Sequence, residues 1–306
     1  MPELPEVETI RRGLQDTIVG RTIAQIEVRS AKSFTGMSEA RPGSAQTLLP
    51  ADLEGQTIEA MDRRGKLLIF NLVGPLCFTA HLRMTGQMIF REVGAEGADG
   101  AFDGFAGGHP NASMIGAMPD RSTRVIFTFA DGSHLYFNDQ RKFGFITVLR
   151  KADLPADDFI RRLGPEPLSE DFTWQTLRDA FVRHGGESVK AALLDQSTVA
   201  GLGNIYVDES LFRTRIRPDR LAGDVSTVKL KQLTQNIKDC LTIAIEAGGS
   251  TARNYVNALG IKGDYLDAYA HVYGRAGQPC HACGTLLKKT KVAGRGTVYC
   301  PHCQRR

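Results

Sequence analysis

No run of about 18 consecutive apolar residues occurs anywhere in the 306-residue chain, so hydropathy gives no membrane-spanning helix. The first thirty residues also lack a basic leader, an apolar block and a small-residue cleavage site, which makes an intracellular, cytoplasmic location the expectation. Cysteine is scarce. Of the six present, four fall between positions 280 and 303, which argues against a disulfide scaffold and leaves Cys77 and Cys240 as core thiols. No long internal repeat is visible, and the net charge of +4 is modest. Acidic residues are missing where it matters most: residues 271–306 contain Arg275, Lys288, Lys289, Lys291, Arg295, Arg305 and Arg306 but no Asp or Glu. That one-signed tail favours a polyanionic partner. The rest is globular in composition, with 42% hydrophobic and 24% charged residues, and is long enough for two or three domains with their own cores.

Leu4, Val7, Ile10, Arg11 and Leu14 recur at near-helical spacing behind Pro5, which predicts a helix from residue 4 to about 16. Strand-like runs follow at 22–28, 56–63, 66–72, 77–84, 124–129 and 133–137, broken by Gly or Asp-Gly turns, and suggest a β-sandwich or barrel. Residues 92–122, rich in Gly, Ala and Pro, read as a long insertion between two strands. Pro155, Pro165 and Pro167 mark a linker, beyond which 173–184, 187–194 and 225–247 carry helical patterns. The Gly201-Leu202-Gly203-Asn204 segment interrupts them. It reads either as an ordinary helix cap or as a turn whose amides bind phosphate.

Two motifs carry chemistry directly. Cys280-x-x-Cys283 and Cys300-x-x-Cys303, sixteen residues apart, have the spacing of a closed four-thiolate zinc site, structural because no coordination position is left for water. Lys288, Lys289, Lys291 and Arg295 lie between the two knuckles, so the metal would staple a basic hairpin suited to phosphates. The chain opens Met1-Pro2-Glu3-Leu4-Pro5-Glu6-Val7-Glu8. These prolines can simply start a helix. Alternatively, removal of Met1 leaves Pro2 as a secondary amine; α-amino groups titrate at about 7.7–8.0, so part of the population would be a free nucleophile near neutrality.

The N-terminal stretch, Gly65-Lys66 before a strand, His81-Leu82-Arg83-Met84, Asn138-Asp139-Gln140-Arg141-Lys142-Phe143-Gly144, the segment 201–209 and the cysteine knuckles appear in this order. Together they resemble the bacterial formamidopyrimidine-DNA glycosylases, oxidised-purine repair enzymes of the helix-two-turn-helix superfamily. The resemblance implies an α+β, multidomain fold. An N-terminal β-sandwich with its helix would occupy 1–150, a linker 151–167, a helical helix-two-turn-helix domain 168–272 and a β-hairpin zinc finger 273–306, with damaged duplex DNA in the cleft between domains.

It also implies roles. Pro2 would be the nucleophile that forms a Schiff base, Glu3 the proton-transferring carboxylate, Lys66 a hairpin lysine near sugar and phosphate, and Glu6 a supporting carboxylate. Met84, Arg141 and Phe143 would fill the hole left by an everted nucleotide. His81, Lys190, Asn204 and Arg295 would hold phosphates, and 248–266 would cover the everted purine. The implied activity is a DNA glycosylase and AP lyase of base excision repair, cleaving the strand by β,δ-elimination. It would work as a monomer with one zinc ion and no small-molecule cofactor, nucleoid-associated when bound to DNA. Two alternatives stand beside it: the endonuclease VIII type, which prefers oxidised pyrimidines, and a zinc-stabilised DNA-binding module without catalysis.

Overall fold

The computed structural model describes residues 1–36, 48–96, 102–109, 114, 116–250 and 265–305. Among them the chain forms two compact units, one holding Met1–Pro2 and Glu6–Arg161, the other Glu3–Pro5, 162–250 and 265–305. No helix of the described residues is long and apolar enough to cross a membrane.

The first unit is a β-sandwich headed by helix α1 (Leu4–Ile18), whose first two residues belong to the other unit. Its strands are β1 (Ile23–Val28), β2 (Phe34–Gly36), β3 (Ile58–Arg64), β4 (Leu67–Leu72), β5 (Leu76–His81), β6 (Gly86–Glu96), β7 (Phe102–Gly108), β8 (Thr123–Phe129), β9 (His134–Asp139) and β10 (Phe145–Arg150); a single helical turn, α2 (Asp158–Arg161), follows. One sheet runs β1-β8-β9-β6-β7 and the other β2-β10-β5-β4-β3. Among the described residues only the β2–β10 pairing is parallel. Alternate residues of each strand turn inward, and Phe70, Phe78 and Phe127 stack across the layers with ring centres 4.2 and 5.1 Å apart. Each such buried ring contributes about 1.5–3 kcal/mol. Val7, Ile10, Leu14 and Ile18, at helical spacing, join that core.

The predicted sandwich is present, with differences in its parts. Strand β5 ends at His81, and 82–85 form a turn into β6, so the run expected over 77–84 stops three residues early. Part of the supposed insertion is strand: β7 lies inside 92–122 and pairs with β6. Gly13 explains its fit, since a Cβ there would lie 2.0 Å from the Phe105 ring of β7.

The second unit comprises α3 (Trp174–Arg183), α4 (Val189–Leu194), α5 (Asn204–Thr214), α6 (Thr227–Glu246), the short α7 (Tyr265–Ala268) and the hairpin β11 (Lys288–Val292) and β12 (Arg295–Tyr299). Thr173, Ser188 and Ser226 cap α3, α4 and α6 through side-chain oxygens. Helix α5 runs through this core, with Tyr206, Val207 and Leu211 fully buried. Phe212, on the same helix, packs on Val272, Leu287 and Val298 of the finger.

Candidate functional site

Residues 3–5 belong to the helical unit, since Glu3 and Leu4 are anchored at the start of α5 and the turn before it. The Leu4 amide donates to the Gly201 carbonyl at 3.0 Å. The Glu3 carboxylate, 4% exposed, accepts from the amides of Ile205 at 3.1 Å and Tyr206 at 3.5 Å. These are among the orphan N–H groups of the first turn of α5, where the helix dipole also favours negative charge. The two glycines make room for this arrangement. Gly201 has φ +86, and a Cβ on it would meet Leu4 at 2.6 Å; a Cβ on Gly203 would lie 2.2 Å from the Glu3 carboxyl carbon. The Gly-x-Gly turn thus receives the carboxylate of the chain's own third residue.

Asn204, Lys190 and Arg295 come together around the finger. The Asn204 side-chain amide donates to the Gly296 carbonyl at 3.0 Å, and the Lys190 ammonium reaches the same oxygen at 3.2 Å. Arg295, next to Gly296 at the hairpin turn, is exposed. Lys190 is fully buried and its ammonium lies 2.6 Å from Asp208 Oδ1. The other Asp208 oxygen accepts from the Val298 amide at 3.2 Å. Burial pushes the Asp208 carboxyl up to about 6, against the pull of the Lys190 charge. Burial likewise lowers the Lys190 ammonium, against Asp208.

In the sandwich unit, Pro2 is buried and Met1 exposed, and Glu6 lies half-buried in the first turn of α1. Lys66 occupies the two-residue turn between β3 and β4 and is 6% exposed. His81, last residue of β5, accepts the Arg83 amide on Nδ1 at 3.0 Å, which leaves its proton on Nε2 as a donor. Burial, then the Arg83 and Lys66 charges, lowers its pKa to about 3, so the ring is neutral at physiological pH. An unfolded histidine titrates near 6.5, so the unfolded chain binds the proton first and stability falls as pH drops from about 6.5 towards 3. His81→Gln should therefore lose less stability than the wild type between pH 7.5 and 5, by about 2 kcal/mol. Thermal melts of both proteins at the two pH values measure this; equal losses would contradict the assignment.

The 141–144 turn is organised by Asp139, which sequence reading passed over as part of a motif. One of its buried oxygens accepts from the Thr85 hydroxyl and, at 3.1 Å, from the Arg141 amide; the other accepts from the Phe143 and Gly144 amides at 2.7 and 2.6 Å. A carboxylate with four donors fixes the turn firmly. It presents Phe143 54% exposed, with the Arg141 guanidinium 4.7 Å from the ring centre. Met84 lies half-buried in the 82–85 turn whose Thr85 bonds Asp139. An exposed aromatic and a guanidinium on a rigid turn can replace an extruded base and satisfy the acceptors it leaves behind. The cover expected over 248–266 lies, for 251–264, outside the described residues.

Glu209 is a second buried carboxylate with a structural task that local sequence does not reveal. Fully buried on α5, it accepts the amides of His271, Val272 and Tyr273 at 2.8–2.9 Å and so pins the segment leading into the finger. Burial raises its pKa, and the three amides act in the opposite direction.

The sulfurs of Cys280, Cys283, Cys300 and Cys303 lie within 4.8 Å of one another, and the Cys303 amide donates to the Cys300 sulfur at 3.3 Å. Four convergent thiols with amide support suit a tetrahedral zinc ion; when bound, the metal holds the knuckles together and supplies no open position for catalysis.

The sequence matches the family models described as Formamidopyrimidine-DNA glycosylase N-terminal domain over residues 1–146, Formamidopyrimidine-DNA glycosylase H2TH domain over 163–256, and Zinc finger found in FPG and IleRS over 277–306. Among similar curated proteins, the formamidopyrimidine-DNA glycosylase of Enterococcus faecalis is 40% identical, covering 99% of this chain and 97% of its own. That of Geobacillus kaustophilus is 41% identical with both chains fully covered. A Lactococcus lactis FPG mutant solved with Fapy-dG containing DNA superposes with a TM-score of 0.83 at 33% identity, covering both chains fully. The Thermus thermophilus MutM (FPG) protein gives 0.79 at 37% identity, covering 99% of this chain and 98% of that one.

Proposed function

The chain belongs to the formamidopyrimidine-DNA glycosylase family, and on that premise we propose that it excises oxidised purines from duplex DNA and cleaves the strand through a covalent intermediate on Pro2. The observation that carries this reading is the clamp on Glu3. A carboxylate adjacent in sequence to Pro2 is buried and held by the first amides of α5, which is the preparation a proton-transferring group requires. A buried terminus serving only to start a helix has no use for it.

With Met1 removed, the Pro2 nitrogen attacks C1′ of the lesion nucleotide. The C1′–base bond breaks, Glu3 exchanges protons with the sugar and the departing base, and the opened deoxyribose remains as an iminium. Positive charge on nitrogen then acidifies the C2′ hydrogens. Loss of one expels the 3′ phosphate, and the following δ step expels the 5′ phosphate. Lys66, a cation at the β3–β4 turn, stabilises charge developing at sugar and phosphate. Arg141, Phe143 and Met84 occupy the vacated stack. His81, through Nε2–H, and Arg295, with Asn204 and Lys190 behind it, position the backbone. Glu6 supports the site from the first turn of α1.

Borohydride added to the protein with duplex DNA containing 8-oxoguanine should trap a one-to-one covalent adduct, mapped by peptide mass spectrometry to Pro2. Absence of an adduct in a sample proven to lack Met1 would sink the enzyme reading and leave a DNA-binding module.

A further inference from the structure

Strand β12 has one edge paired with β11 and the other turned to the helices. Residues on a strand present their backbone N–H and C=O to alternate edges, so Gly296 and Val298 share an edge. With Val292 and Arg295 paired across the two-residue Ala293-Gly294 turn, the antiparallel alternation puts Arg295, Thr297 and Tyr299 at the positions that bond to β11 and turns the polar groups of Gly296 and Val298 away from it. An unpaired edge needs a donor for each carbonyl and an acceptor for each amide. Here the donor to Gly296 O is the Lys190 ammonium, together with Asn204, and the acceptor for Val298 N is Asp208. The two side chains are bonded to each other at 2.6 Å. The pair therefore stands where the next strand of a sheet would be.

A buried ion pair is weak evidence for stability, because well-packed apolar residues often serve as well. What apolar residues cannot do is fix the register of a strand edge. Lys190 comes from α4 and Asp208 from α5, the helix whose first amides hold Glu3. Arg295 sits one residue before Gly296, just after the Ala293-Gly294 turn, where both φ angles are positive. Any slip of β12 along α5 moves Arg295 by the same amount.

We propose that Asp208 is a positioning residue for the DNA grip: with Lys190 it sets the register of β12 on α5 and thereby places Arg295 against phosphate. This rests on the reading of Arg295 as a phosphate contact. Asp208 itself touches no DNA in this scheme, and the charge it supplies acts through Lys190 and the Val298 amide.

The test uses the zinc-loaded full-length protein and a duplex with a tetrahydrofuran abasic analogue, which binds without chemistry, so that its outcome is separate from that of the Pro2 mechanism. Asp208→Asn should keep one zinc per chain while weakening binding about tenfold, and the slope of log K against log salt should fall by about one. The conservative Asp208→Glu should recover part of the loss. Adding Arg295→Ala to Asp208→Asn should cost nothing further, since both remove the same contact. A wild-type affinity and slope in Asp208→Asn, additivity with Arg295→Ala, or an unchanged slope in Arg295→Ala alone would each overturn the proposal. If Asp208→Asn loses its zinc, the charge-free pair Lys190→Met with Asp208→Leu replaces it; a wild-type slope there overturns the proposal equally.

Discussion

Gly203→Ala is expected to lower strand cleavage at saturating lesion DNA by about 100-fold or more while leaving affinity for an abasic-analogue duplex within about threefold, because small displacements of a reacting group carry penalties of that order. The added Cβ would lie 2.2 Å from the Glu3 carboxyl carbon and 2.4 Å from its Oε1, so the carboxylate must leave the amides of Ile205 and Tyr206. Gly203 has an extended φ of −138, which alanine adopts without strain, and as the N-cap of α5 its replacement by alanine costs about 1 kcal/mol, which a folded unit of this size tolerates. The defect should therefore be one of placement, not of folding. Glu3→Gln is the comparison: it keeps the shape and removes the base. If the two variants show the same loss in single-turnover cleavage with melting temperatures close to the wild type, Glu3 acts from the place α5 gives it. Full cleavage by Gly203→Ala would mean that the carboxylate works from elsewhere.

That glycine also marks the boundary of what the sequence discloses. Its spacing with Gly201 was legible as a tight turn, but the occupant of the turn was not. Glu3 lies two hundred residues away, and no local pattern connects a helix start at one end of the chain to a helix cap near the middle. The sandwich was legible because its central strands alternate cleanly and end at Gly or Asp-Gly turns. Strand β7, Phe102–Gly108, escaped because four of its residues carry little or no side chain to show an alternation, and it is held by pairing with β6 instead.

Helix α5 was missed for a different reason. Asp208, Glu209 and Ser210 are all buried, which breaks the apolar period that betrays an amphipathic helix. The partners of Asp208 and Glu209, namely Lys190, the finger edge and the 271–273 amides, lie outside the helix's own sequence. Buried polar residues at a helix centre are paid for by tertiary bonds that only the folded chain contains. The cysteine knuckles, by contrast, were fully legible, since their spacing alone dictates the chemistry.

Cys300→Ala should release the metal and weaken lesion-duplex binding about 100-fold or more, leaving the sandwich unit folded. The finger's own core is small: Val272, Cys280, Leu287, Val298 and Cys300, closed by Phe212 of α5. A core of that size cannot offset the ordering entropy of about thirty residues at roughly 1–2 kcal/mol each, whereas apparent zinc-binding energies of about 10–16 kcal/mol in finger peptides can make up the deficit. Cys300 contributes more than a ligand, because its sulfur accepts the Cys303 amide and its own amide donates to the buried Gln304, whose side chain in turn donates to the Ile216 carbonyl beyond α5. Losing it loosens the second knuckle from the helical unit as well as from the metal. Arg295 then loses its fixed approach, and the salt slope should fall by about one with the affinity. Zinc content by atomic emission, binding by anisotropy across a salt series, and a melt in which the sandwich transition persists together decide the matter. A Cys300→Ala protein with full zinc and wild-type binding would show that the four thiols do not form the metal site on which the finger's grip depends.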